Sequence, residues 1–133
     1  MLVLRDPKLA SSITNPDIRA LVEQRFAEIC AGEPYDYDRH GYMIVVEPGD
    51  TVDALEKESG CAILYDPFGD VPYGHPDFTP SFDILEDRHV CYEALFLTTD
   101  DFGITIFIPK VEGIDACLLA MCAEYAIPAP ELT

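Results

Sequence analysis

Three side chains two-thirds of the way along the chain have the types and the spacing for chemistry: His89, Cys91 and Glu93. On an extended strand alternate residues share a face, so an imidazole, a thiol and a carboxylate stand together while Val90, Tyr92 and Ala94 point away. Such a trio suits a Cys–His nucleophile pair or three ligands for zinc, and His75 with Asp77 could supply a fourth group. The surrounding sequence gives that reading little support. A zinc deaminase needs a Pro-Cys-x-x-Cys pair, which is absent. A cysteine hydrolase needs oxyanion donors, and no Gly-rich turn stands beside Cys91. The plainer reading packs Cys91 and leaves Glu93 in water. GxGxxG, GxSxG, HExxH and a phosphate loop ending in GK[ST] are all missing. The carboxylate pairs Asp66/Asp70 and Asp100/Asp101 read as turn formers rather than acid–base couples, since such side chains bond their own backbone. Neither a metal nor a cofactor is expected.

The elements that must position these groups start with a hairpin. Val90 to Thr98 and Ile104 to Ile108 are rich in β-branched, aromatic and aliphatic residues, and Thr99-Asp100-Asp101, closed by Phe102-Gly103, makes the turn between them. Leu95 and Leu97 face one way, Ala94 and Phe96 the other. Both faces are apolar, so both need cover. Helices supply it. Asn15 is a good N-cap, Pro16 suits the first helical position, and Asp17 suits the positive end of the dipole. Ile18, Leu21, Val22, Phe26, Ile29 and Cys30 then form one stripe, predicting a helix over Pro16–Ala31 stopped by Gly32. A second stripe, Ile114, Leu118, Met121, Cys122 and Tyr125, predicts a helix over Ile114–Ala126.

Between these lie shorter signals. Leu2-Val3-Leu4 reads as a small edge strand, and Tyr42 to Glu47 as a buried one. Asp50 is expected to cap a short helix closed by Gly60. Cys61 to Tyr65 would return as a second strand, in a strand–helix–strand unit at the short end for a parallel crossover. Glu33 to Tyr42 is a tyrosine-rich polar connection; its Asp36, Asp38 and His40 lack the Gly turn and closing Glu of a calcium loop. Asp66 to Ser81 carries four prolines, two glycines and the aromatics Phe68, Tyr73 and Phe78. Prolines at that density exclude helix and central strand, yet the aromatics are too apolar for a free linker. A long ordered loop folded back on the domain is expected, a kind of loop that often carries function. Phe82 to Leu85 adds a brief edge strand.

Composition bounds what such a molecule does. The 133 residues make one domain, with enough apolar residues for a core. Five cysteines, an odd number with no CxxC pair, speak against a disulfide scaffold or structural zinc and for a reducing compartment. The net charge is −17, and between Glu33 and Asp101 seventeen carboxylates face three basic residues. Such a field repels phosphate backbones and anionic membranes, and steers basic proteins inward. Acidity for solubility alone and adaptation to high salt, which also gives few lysines and many carboxylates, are the competing explanations.

The sequence therefore predicts a single α+β domain. Its four- or five-stranded mixed or antiparallel sheet has the hairpin at its centre, covered by two long helices and one short one. The expected function is that of a non-enzymatic, cytoplasmic, acidic binding protein that engages a basic protein, as an immunity or inhibitor protein or a nucleic-acid mimic would. No direct nucleic-acid or membrane contact is expected. Tyr35, Asp36, Tyr37, Asp38 and Tyr42 are its candidate contact residues, because interfaces favour tyrosine anchors and acids read cations. The competing function is a small metal- or thiol-dependent enzyme using His89, Cys91, Glu93 and His75.

Overall fold

The computed structural model describes residues 1–81, 84–97 and 103–128. Strand β1 (Leu2–Leu4) leads into a 3-10 turn over Pro7–Ser12, opened by the Asp6 carboxylate, which accepts the Lys8 N–H. Helix α1 (Pro16–Cys30) starts as its sequence dictates, with Asn15 Oδ1 accepting the N–H groups of Asp17 and Ile18. It ends one residue before the expected Ala31, which takes the left-handed conformation at φ 49° and serves as the C-cap. A single-turn helix α2 (Tyr37–His40), capped by Asp36, interrupts the polar connection. Strand β2 (Tyr42–Val45) and helix α3 (Val52–Ser59) follow. Thr51 caps α3 in place of Asp50, whose carboxylate instead accepts the Glu47 N–H and closes the Pro48-Gly49 turn. Strands β3 (Ile84–Asp87), β4 (Cys91–Leu97) and β5 (Gly103–Pro109) precede helix α4 (Ala116–Tyr125) and a two-residue β6 (Ile127–Pro128). Asp115 caps α4 two residues later than the apolar stripe suggests. The turn containing Asp100 and Asp101, and Phe82, lie outside the described residues.

This is an α+β domain built on a mixed sheet in the order β1-β2-β5-β4-β3-β6. Five strands carry it, and β6 extends one edge. The hairpin strands β4 and β5 lie in the middle, with Cys91 opposite Pro109 and Leu97 opposite Gly103. The parallel partner of β2 is β5. Cys61 to Tyr65 forms no strand, and a physical reason is visible: both edges of β2 are already taken, by β1 and β5. Cys61 and Ile63 are nonetheless buried, and the carbonyls of Ala62 and Tyr65 are met by the Ser81 hydroxyl and that of Leu64 by the Tyr73 N–H.

Each sheet face has its own cover. Met43, Val45, Cys91 and Phe107 pack under Ile18, Val22 and Phe26 of α1. On the other face Ile44, Ile104, Ile106 and Ile108 meet Leu55 of α3, Leu118 and Met121 of α4, and Ile63 and Phe78 of the long loop. Each such side chain, fully buried, stabilises the domain by roughly 1.5–3 kcal/mol before entropy is counted. Among the described residues no helix is long and apolar enough to cross a membrane.

Candidate functional site

The sheet separates the groups that could have made a His/Cys/Glu site. Strand β4 begins at Cys91, so His89 falls in the bend before it and is exposed. Cys91 is fully buried beneath α1, and burial, with Glu93 adding, pushes its thiol up to about 12. His75 sits on the long loop, whose Tyr73 and Phe78 pack against the opposite face of the sheet, and its Nδ1 accepts the Asp77 N–H. Among the described residues no three His, Cys, Asp or Glu groups converge as a metal site.

Glu93 has a different occupation. It is only 5% exposed, and Arg25 of α1 donates from Nε to its Oε1 at 2.8 Å while Arg88 donates from Nε to Oε2 at 3.2 Å. Arg88 also reaches Glu86 at 2.7 Å, and Arg25 reaches Glu28 at 3.2 Å. Glu86 lies directly opposite Glu93 across the β3–β4 ladder, where two like charges would repel, and Arg88 bridges both. The hydrogen bond to Glu93, working against burial, holds the Arg25 guanidinium above its ordinary range. Glu93 thus pins α1 to the sheet. Beside it a small cleft of about 120 Å³ opens between Ile29, Leu95 and Thr105.

The tyrosine-rich connection divides between packing and display. Tyr42 is buried and donates to the Glu58 carbonyl. Tyr35 packs edge-on against Phe26, stacks on His40 and donates to the Gly41 carbonyl; burial pushes its phenol up to about 12. Asp36, Tyr37 and Asp38 are exposed, next to a shallow surface that also carries Arg5 and Arg39. That surface is of mixed charge, and Tyr37, though exposed, stacks on the Tyr42 ring at 5.8 Å, so all three tyrosines also take part in the fold.

The long loop does the reverse. Phe78 is buried between Tyr73 and Tyr125, and the Tyr73 hydroxyl donates to Glu124 of α4 at 3.0 Å, so two of the three loop aromatics tie it down. The third is presented to solvent. Phe68 is 85% exposed, the most exposed large apolar side chain among the described residues. Its turn is tightly held. Tyr65 and Pro72 form a β-bridge, the Asp66 N–H donates to the Val71 carbonyl, and the Gly69 N–H donates to the Asp66 carbonyl. Asp66 Oδ1 accepts from Asp70 N–H at 2.8 Å and Val71 N–H at 3.2 Å. Burial alone would raise that carboxyl, but the surrounding backbone N–H groups outweigh it and hold it below the usual carboxylate range. At the base of the turn, Tyr65, Pro72 and Tyr73 form one wall of a groove of about 280 Å³. Asp53 and Glu56 of α3 and the exposed Cys117 line the rest. Burial and the neighbouring Asp53 raise the Glu56 carboxyl, against a hydrogen bond from the Leu64 N–H.

The arrangement places an exposed aromatic side chain on a held turn beside a carboxylate-lined groove. The Asp66-Pro67 and Gly69 turn signals were readable in the sequence, and so was the unusual aromatic content of the loop. Which aromatic faces outward was not, because hydrophobicity alone points all three inward. No protein-family model, curated protein or solved structure matches this chain.

Proposed function

We propose that this chain is a non-enzymatic binding protein whose acidic surface engages a basic protein partner. The observation that carries the reading is how its charges are matched. Arg5, Arg25, Arg39, Arg88 and Lys110 each pair with a carboxylate of the same chain, and Arg19 donates to the Ile13 carbonyl. Asp53, Asp70, Glu112 and Glu124 are exposed and have no Lys or Arg within ion-pair distance among the described residues. Six of the eight cations thus serve cohesion; Lys8 and Lys57 are exposed with no carboxylate in ion-pair distance among the described residues, and the outward field is dominated by the acids. Such a field gives fast, salt-sensitive association with a positively charged surface.

Masking a basic nuclease and mimicking a nucleic acid are two concrete forms of this function. Immobilised protein, loaded with host-cell extract at low salt, should retain a basic protein that raised salt releases. A duplex oligonucleotide should displace that protein if the acidic surface occupies a nucleic-acid site, and leave it bound otherwise. If no basic protein is retained at low salt, the reading is wrong. The thiol or metal enzyme has less support, since Cys91 is sealed under α1 and Glu93 is neutralised by two guanidinium groups.

A further inference from the structure

We propose that Phe68 is the anchor of the interface, inserted into an apolar pocket of the partner whose rim carries lysine or arginine. The inference rests on the binding reading above and adds to it a residue and a partner surface. A single exposed apolar side chain is ordinary on a protein surface. Phe68 differs in how it is held. The turn that carries it is closed on both sides of the chain, by the Tyr65–Pro72 bridge and by the Asp66 carboxylate, which accepts from the backbone beyond Phe68. A turn whose backbone is already held loses little main-chain freedom when it docks, so more of the contact energy of the side chain it carries survives as affinity. Aromatic residues are enriched at the centre of interfaces, charged groups around them.

Charge selects the occupant. Asp70 is exposed two residues beyond Phe68, and the groove at the base of the turn is lined by Asp53 and Glu56. An apolar pocket on an acidic or neutral protein would bring like charge, or none, against this rim. One ringed by lysine or arginine would complete it. The loop's other two aromatics are consumed by attachment to Tyr125 and Glu124, which leaves Phe68 as the side chain placed to enter a partner.

The test compares wild type with three variants, Phe68→Ala, Asp66→Ala and Leu9→Ala. Leu9 is an exposed apolar residue, 44% accessible, on the 3-10 turn whose Ala10 packs in the cluster on the other sheet face, and serves as the control. The basic protein retained from host extract at low salt is purified, and its Kd is measured by calorimetry against each variant, with cytochrome c as a non-specific basic probe. Circular dichroism checks that each variant is folded. Phe68→Ala should weaken the purified partner tenfold or more, about 1.4 kcal/mol. Asp66→Ala, which keeps the phenyl ring but releases the turn, should weaken it severalfold. Leu9→Ala should change nothing, and cytochrome c should bind all four proteins alike. Equal retention by wild type and Phe68→Ala overturns the anchor while the acidic reading stands. Failure of both to retain any basic protein overturns the two together.

Discussion

The tie between α1 and the sheet gives a sharp prediction, because one buried carboxylate carries it. In Glu93→Gln the side chain keeps its shape but loses its charge, and its new NH₂ group faces guanidinium donors. Removing one partner of a buried ion pair costs about 3–5 kcal/mol. Here the cost is smaller, since the Arg25 and Arg88 side chains are 30% and 26% exposed and keep Glu28 and Glu86. A loss of about 2 kcal/mol follows, equivalent to a Tm decrease of about 8 °C for a domain of this size. Urea unfolding followed by far-UV circular dichroism measures it, with an unchanged m-value showing that the same surface unfolds. The cycle is completed with Arg25→Met and the double variant. Because the two groups touch, the coupling energy should reach about 1 kcal/mol. A loss under about 0.5 kcal/mol in Glu93→Gln, or strict additivity in the double variant, would refute the argument that this pair pins the helix.

Three further outcomes follow from the same geometry. With a thiol reagent at neutral pH, exposed Cys117 should label rapidly in the native protein, and all five cysteines only after unfolding; rapid native labelling of Cys91 would revive the thiol site. Gly41 sits at φ 76°, and a Cβ there would overlap the Gly103 carbonyl oxygen where β2 meets β5, so Gly41→Ala should cost about 3 kcal/mol or more in urea titration. A loss below about 1 kcal/mol would contradict that packing. The Asp66 carboxyl is held below its unfolded value, so its contribution to the turn is present above the ordinary carboxylate range and lost as pH falls through the folded pKa. The amide signals of Asp70 and Val71 should therefore move only below the ordinary carboxylate midpoint, and should stay flat in Asp66→Asn; movement at or above that midpoint would show that the clasp is absent.

Local chemistry was the most legible part of this chain. Asn15, Pro16 and the apolar stripe behind them placed α1 to within a residue of its end, because capping and amphipathicity are decided by neighbours in sequence. Asp66 behaves as the turn former its context suggested. Pairing was less legible. Cys61 to Tyr65 has the composition of a strand, but composition cannot report that β2 has no free edge to offer. The His89, Cys91 and Glu93 alternation was a sound geometric expectation that failed on two counts. The strand starts after His89, and Arg25, sixty-eight residues away in sequence, claims the carboxylate. Tyr35 and Tyr42 suit an interface by residue type, and composition does not tell that their hydroxyls also bond backbone carbonyls within the fold.

The parallel pairing of β2 with β5 also bears on how the domain assembles. It sets Tyr42 beside Ile104 and Val45 beside Phe107, so the ladder at the heart of the sheet joins segments roughly sixty residues apart. During synthesis β2 emerges long before β5, and until then only β1 can pair with it, as an antiparallel ribbon too small to persist alone. Closing so wide a loop before any contact rewards it slows folding, and the apolar flank of β2 stays open to other chains meanwhile. The nascent polypeptide carries many carboxylates across that interval, and their mutual repulsion keeps unfinished copies apart until β5 arrives to close the sheet.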